Sequence, residues 1–429
     1  MEVAFYLNNQ NYSDVDFSQP EKGNPGVRGT QYMIWAVACG LSRKYENIQV
    51  CLYANHIRKM PPDIMCKRCE NDLDAIKQAE IDCIDILILR TSISTDRQVF
   101  EKLRSSKLSC ITWSHNFEDF YLANEIAKTA AIKRNVCVGR QQYERLRDHQ
   151  VFRKSTYIYN ALNFDCYDGY PRNDGSHIVV YAGMLDSSKG FHRLAKIWPQ
   201  VLIKDKNAVL YVLGSGDLGA NVKLGPLGLA GVEYEKKIAK YLCDKEGKVI
   251  PSVKFYGKVG GEKQRKIMSQ AKVGIANPTG IGETFCIVAI EFEALGVPVV
   301  SVKKYGLLDT VEDGKAGILS NTDKGLVNAI VRLLNEDATA EAMGEFGHEN
   351  VRKKFSFSEV LADWQSLLND VYEGKENIAN TSYNYPLNQG KIFREINRKI
   401  KTIPIFRGFP SIMECEYKIR FAAKKLLRR

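Results

Sequence analysis

The sequence predicts an α/β protein built from two doubly wound domains, followed by a basic helical tail. Three observations carry this expectation. Short β-rich runs alternate with helical patterns through most of the 429 residues. A stretch near 167–175, containing Pro171-Arg172-Asn173-Asp174-Gly175, divides the alternation into two series. Positive charge gathers beyond Asn388, where twelve Lys or Arg face three Glu, a net +9 of the chain's +11. Strands alternating with helices argue for parallel sheets joined by crossover helices. In such sheets ligands sit at the carboxyl ends of the strands, and here in the cleft between the two domains.

The first series places strands at Val3–Leu7, Gln49–Tyr53, Ile84–Leu89, Cys110–Trp113, Val136–Val138 and Thr156–Tyr159. Helical patterns fall between them, among them Gln31–Ser42, Thr95–Arg104 and Arg140–Arg147. The second series runs His177–Ala182, Ala208–Leu213, Val253–Tyr256, Val273–Ala276 and Val297–Val302. Helices at Lys324–Leu334, Ala338–Lys354 and Ser358–Tyr372 close the body, the last capped by Ser356 or Ser358. Gly374–Gly390 reads as a polar linker. Beyond it Ile392, Ile396, Ile400 and Ile403 recur at helical spacing among Arg394, Arg398, Lys399 and Lys401. Ile412, Ile419 and Leu426 mark a second helix, with Pro404 and Pro410 separating the two.

Composition bounds the function. Hydrophobic content of 45% and charged content of 26% are those of an ordinary globular protein. No run of about 18 uncharged apolar residues is present, so no spanning helix is expected. The start, MEVAFYLNN, lacks a basic region and reads as a strand and not a signal peptide. Cysteines such as Cys83, Cys110, Cys137 and Cys286 sit in apolar runs, which fits buried thiols in a reducing cytoplasm. Cys66 and Cys69 form a single CxxC with no second pair, an ordinary segment at a helix start and not a metal or redox site.

The chemistry concentrates in Gly282–Val300, GETFCIVAIEFEALGVPVV. Glu283 and Glu291 stand eight apart around an apolar helical run. On a helix Glu291 shares a face with Ile287, Val288, Ala294 and Leu295, so it is expected to point with the core. A buried carboxylate needs a partner, and a vicinal diol offers two O–H donors to one carboxylate. Upstream, Gly183-Met-Leu-Asp-Ser-Ser-Lys189-Gly190 follows a strand. Backbone N–H groups, a helix dipole and the Lys189 charge together suit a phosphate there. Val212-Leu-Gly214-Ser-Gly216-Asp217 also follows a strand, and its glycines let a backbone approach a ligand closely. Phe255-Tyr-Gly257 and Ala276-Asn-Pro-Thr-Gly-Ile-Gly-Glu283 end two more strands at the same sheet edge.

Taken in order, these segments and Gly306-Leu-Leu-Asp-Thr-Val-Glu-Asp-Gly-Lys-Ala-Gly-Ile resemble the donor domain of retaining glycosyltransferases of family four, the group 1 family with the GT-B fold. The resemblance extends to His348–Trp364 and covers about 180–360 well. It covers 1–170 more loosely, through Gly26-Val-Arg-Gly29-Thr, Ser114-His115-Asn116 and Tyr159-Asn160-Ala161. It implies an acceptor-side domain at 1–170, a nucleotide-sugar domain at 171–355, a closing helix at 356–373, and a linker and tail at 374–429. Within these, Glu291 would bind ribose hydroxyls, and Glu283 would sit by the transferred sugar. The N–H groups of Thr284, Phe285 and Cys286 would lie near that sugar or its phosphate. Lys189 would neutralise the diphosphate, with Gly183, Gly214 and Gly216 in the turns around it. His115 would lie near the donor sugar, and Gly29 would let its loop close over the diphosphate. One departure stands out: Met184 occupies the place where the family often has an Arg, with Arg28, Arg140 and Lys258 as candidate substitutes.

The reaction implied is a configuration-retaining transfer from a nucleoside-diphosphate sugar to a glycan or lipid-linked glycan, in cell-surface polysaccharide assembly. No Asp-x-Asp motif stands at a strand end, and no divalent metal or other cofactor is expected. Two further readings share the scaffold. One is a sugar-nucleotide epimerase or a phosphorylase, of which an epimerase would alter the nucleotide sugar without acceptor; the other is a non-catalytic nucleotide-sugar-binding subunit, which would release no nucleoside diphosphate. The tail, 391–429, reads as a peripheral element for the inner face of an anionic cytoplasmic membrane. Its alternative is packing on the N-terminal domain, or a tail with no fixed structure. Nucleic acid is not an expected partner, because aromatic platforms for bases are missing.

Overall fold

Strands buried on both faces must be apolar throughout, and the two series of β-branched runs meet that requirement. A computed structural model describes residues 1–216, 223–382 and 390–426. Asp217, residues 383–389 of the expected linker and 427–429 of the tail lie outside the described residues.

Two compact units form. The first comprises Met1–Pro20, Val27–Asn160 and the described part of Phe357–Arg429. Its strands are β1 (Glu2–Leu7), β2 (Gln49–Ala54), β3 (Met65–Arg68), β4 (Ile86–Thr91), β5 (Ser109–Ser114), β6 (Ile132–Cys137) and β7 (Ser155–Tyr157). They pair in parallel in the order β3-β2-β1-β4-β5-β6-β7, so the chain reverses direction across the sheet between β1 and β4. β3 has no counterpart in the sequence reading. It is an edge strand with no buried residue, so no apolar run announces it. Cys66 therefore lies on an edge strand and not at a helix start.

The closing helix, Phe357–Tyr372, belongs to this unit. Its Trp364 is fully buried between Phe5 and Trp113, with ring centroids 6.2 and 4.6 Å away. Burying one such side chain contributes roughly 2–3 kcal/mol. The tail packs here too, as the helices Lys391–Ile400 and Ile412–Leu426. Its Met413 joins the apolar core beside Leu122, Ile126 and Phe152.

The second unit comprises Glu21–Gly26 and Ala161–Ser356. Its strands are β8 (Ile178–Ala182), β9 (Val209–Leu213), β10 (Val253–Gly257), β11 (Val273–Ile275), β12 (Val299–Ser301) and β13 (Gly317–Leu319). They form a parallel sheet in the order β10-β9-β8-β11-β12-β13, which reverses between β8 and β11. β13 also escaped the sequence reading; three residues at a sheet edge carry too little pattern. The helix Ile287–Ala294 lies close on this sheet. A Cβ at Gly274 of β11 would stand 2.5 Å from the Phe292 ring, so only glycine allows that approach. Among the described residues no helix is long and apolar enough to cross a membrane. All eleven cysteines are unpaired.

Candidate active site

At the carboxyl edge of the second sheet the turns after β8, β9 and β10 are laced together. The Gly183 amide donates to the Leu213 carbonyl at 2.9 Å, and the Gly214 amide to Gly257 at 2.8 Å. Gly214 holds φ +140°, and a Cβ there would fall 1.9 Å from the Gly183 oxygen. No side chain fits, so the two turns touch through bare backbone. Gly216 presses on Ala230 in the same way.

The Gly183–Gly190 loop is shaped from within. Asp186 Oδ1 accepts from the amides of Ser188 and Lys189 at 2.8 and 3.0 Å, and Tyr181 Oη donates to the Lys189 carbonyl at 3.0 Å. These bonds aim Lys189 at the loop after β11. Its Nζ lies 2.9 Å from Glu283 Oε2, and Asn277 Nδ2 donates to the same oxygen at 2.8 Å. Burial works against the Lys189 charge, but Glu283 outweighs it and holds the amine above its ordinary range. Asn277 sits at φ 32°, an uncommon setting for a residue other than glycine. It caps its own turn, accepting at Oδ1 from the Gly280 amide at 3.0 Å. The sequence reading passed over Asn277, although its Asn-Pro pair after a strand is a turn signal. Glu283 is also tied through its carbonyl, which accepts from the Gly306 amide at 3.0 Å. That bond brings the Gly306 segment to the loop. Thr284, Phe285 and Cys286 are all buried and lead directly into the Ile287–Ala294 helix.

Glu291 corrects the expectation from helical spacing. It is half-buried, as are Ile287 and Val288, while Ala294 and Leu295 are buried, so this face lies at the border of the core and not within it. It is satisfied within the protein: Tyr167 Oη donates to Oε1 at 2.8 Å and Gln264 Nε2 to Oε2 at 3.4 Å. Burial pushes the carboxyl up to about 7, against the pull of Tyr167 and of Arg265. Arg265 stacks on the Tyr167 and Tyr170 rings at 5.5 and 6.0 Å. The fully buried carboxylate of the helix is Glu293, which the sequence reading did not single out.

The structure thus brings Lys189, Glu283, Gly183, Gly214 and Gly216 to one edge, with Glu291 on the helix behind them. Met184 is half-buried beside that edge. Of its candidate substitutes, Lys258 is exposed and directly follows Gly257, which bonds the Gly214 turn. Arg140 lies in the first unit, with Nε 3.7 Å from Glu144. Arg28, also in the first unit, precedes the helix that Gly29 opens.

His115 lies in the first unit, just beyond β5. Its ring is 4.7 Å from Trp113. Burial, with Arg90 nearby, pulls the imidazole down to about 3, so it is neutral at physiological pH. Gln142 braces its loop, donating to the carbonyls of Ser114 and Asn116 at 3.0 and 2.8 Å. Buried Glu118 and Asn135 extend this network, and burial raises the Glu118 carboxyl. Apolar patterning gives no signal for such a buried polar set.

Two doubly wound parallel sheets, one with glycine turns and a cation at its carboxyl edge, define a protein of the GT-B class. The likeness to sucrose-phosphate synthase from Thermosynechococcus elongatus shows the same fold: TM-score 0.68 at 18% identity, covering 87% of this chain and 100% of that one. The Anabaena HepE protein, solved with UDP and glucose, gives a TM-score of 0.61 at 13% identity, covering 86% and 100%. Residues 168–350 match the family model for glycosyl transferases group 1, so this part of the chain is similar to that family. The capsular polysaccharide biosynthesis glycosyltransferase CapM of Staphylococcus aureus is 24% identical over 201 residues, 46% of this chain and 47% of CapM. The chain spans about half the length of the curated relatives it matches.

Proposed function

We propose that the protein transfers a sugar from a nucleoside-diphosphate sugar to a glycan or lipid-linked glycan, with retention of anomeric configuration, in cell-surface polysaccharide assembly. The observation that carries this reading is the Lys189–Glu283–Asn277 cluster beside the interlocked Gly183 and Gly214 turns. As the anomeric C–O bond loosens, its electron pair moves onto the diphosphate. Lys189 would meet that charge, while Glu283 would steady the sugar side. Preorganised charge of this kind is the largest source of catalysis in group transfer. Glu291 would exchange its Tyr167 or Gln264 partner for ribose hydroxyls. His115, neutral, and Gly29 are assigned to the acceptor-side unit's part in donor handling.

A panel of nucleotide sugars, starting with uridine diphosphate donors, tests the proposal by nucleoside diphosphate release. We expect release to depend on acceptor and to persist in excess EDTA. Loss of turnover in EDTA, restored by a divalent ion, would remove the metal-independent reading. Donor altered in the absence of acceptor would favour an epimerase.

The Glu291 assignment gives a pH dependence. Only the ionised carboxylate can accept two hydroxyl donors, and its pKa in the folded protein is about 7. Donor affinity should therefore fall as pH drops through 7. The ionised fraction goes from about nine-tenths at pH 8 to about one-tenth at pH 6, a loss of about tenfold. Calorimetric titration at the two pH values measures it, and equal affinities would reject the clamp.

The same proposal places the tail against an anionic membrane, where lipid-linked acceptors reside. Sedimentation of the full chain with anionic, but not zwitterionic, vesicles is the expected result.

A further inference from the structure

An amphipathic helix packed on a globular domain normally buries its apolar stripe. Lys391–Ile400 does the reverse. Lys391, Arg394 and Glu395 are 1, 2 and 7% exposed, whereas Ile392, Phe393 and Ile396 are 48, 70 and 50% exposed. The outward residues recur at one- and four-residue offsets and occupy one face. Ile403, Ile405 and Phe409 continue the exposure through the connection.

The inverted helix is held by charge. Asp148 accepts from Arg394 Nη1 at 3.2 Å, from Asn397 at 2.9 Å and from the Ile412 amide at 2.6 Å. Lys401 donates to its carbonyl at 2.7 Å. Glu395 pairs with Arg147 and Arg398 at 2.8 and 2.6 Å, which with burial opposing holds its carboxyl down at about 2. Arg394 also reaches Glu416 at 2.9 Å. Asp148, Glu395 and Glu416 are thus engaged by these contacts, and Glu414 pairs with the exposed Lys418 at 2.8 Å. Lys399, Arg407 and Arg420 remain exposed with no acidic partner among the described residues.

From this arrangement we infer that the tail is a prefolded membrane-docking face. Ile392, Phe393, Ile396, Ile403, Ile405 and Phe409 enter the acyl–headgroup boundary, and Lys399, Arg407 and Arg420 meet anionic headgroups. This rests on the membrane reading above and deepens it: the contact is made by apolar insertion from a folded element, not by an unstructured polybasic segment. An anionic bilayer is the occupant that matches both an apolar face and a fringe of uncompensated positive charge. A second copy of the chain would bring the same sign of charge against itself.

The test uses full-length protein and vesicles of phosphatidylglycerol with phosphatidylcholine, or phosphatidylcholine alone. Phe393→Ser/Ile396→Ser/Ile405→Ser changes exposed residues only and should leave the melting temperature unchanged. It should weaken anionic-vesicle binding at least tenfold. Lys399→Ala/Arg407→Ala/Arg420→Ala should weaken binding roughly a hundredfold at low salt and make what binding is left less sensitive to salt than that of the wild type. Wild-type binding with an undiminished serine variant would overturn the inference and leave the membrane reading standing. No binding by the wild-type chain would overturn both. A wild-type dimer in light scattering that the serine variant abolishes, with no vesicle binding, would assign the face to self-association. None of these readouts depends on glycosyl transfer.

Discussion

Lys189→Ala and Glu283→Ala are each expected to lower turnover by roughly two to three orders of magnitude, with the chain still folded. The two side chains form one unit, 2.9 Å apart, with Asn277 completing it. On the proposed reading the departing diphosphate loses a full charge without the lysine; without the glutamate, the lysine loses the partner 2.9 Å away that fixes its position. A double-mutant cycle should therefore show strong non-additivity, the double variant losing little more than either single one. Lys189→Met, which keeps the aliphatic stem, should be as impaired as Lys189→Ala. The Lys189 side chain is 39% exposed, so water screens its side of the pair, while the Glu283 side chain is 8% exposed and keeps Asn277 as a donor when the lysine is removed. Steady-state kinetics with thermal melts on all variants decide the matter. Near-normal rates in both single variants would remove these residues from the site.

Glu293→Gln is expected to stabilise the second unit, increasingly so as pH rises. Glu293 is fully buried, and neither carboxylate oxygen meets a hydrogen-bond partner among the described residues. Burial raises its pKa well above the ordinary value of 4.5; Lys354 eases this and Glu312 adds to it. The folded state keeps a proton that the unfolded chain releases above about pH 4.5. Stability is therefore lost as pH rises, by about 1.4 kcal/mol per pH unit until the folded group ionises. Glutamine keeps the shape and has no proton to hold. Denaturant titrations should show little difference near pH 5 and a gain that grows as pH rises above it. A difference that does not change with pH would mean the carboxyl is not neutral in the fold.

The two glutamates of this helix show where sequence reading works and where it stops. Glu283 and Glu291 were legible because a carboxylate in an apolar run demands a partner, and because glycine turns and a lysine recur at the ends of successive strands. Which face of the helix enters the core was not legible. The helix is apolar nearly all round, so spacing cannot rank its faces. The choice is made by the Asp337–Phe355 helix, where a Cβ on Gly347 would lie 3.1 Å from Glu293 Cγ. Edge strands β3 and β13 escaped for other reasons: β3 buries nothing and needs no apolar run, and β13 is only three residues long.

The partners that satisfy the site were equally hidden. Tyr167 reaches Glu291 across 124 positions of chain, and Lys189 reaches Glu283 across 94. Contacts at such separations leave no local signature. The tail repeats the lesson. Its isoleucine spacing and positive charge were evident, and with them the helices and the break at Pro404 and Pro410. That the charged side turns inward was decided by Asp148, Glu144 and Arg147, acidic and basic groups waiting on the body. By itself the sequence determined the alternating strands and helices, the glycine turns and the residue types at the site, because these follow from local backbone and burial requirements. The tertiary structure alone decided which carboxylate is buried, which is paired and which face of the tail meets solvent, because those depend on what distant segments bring to meet them.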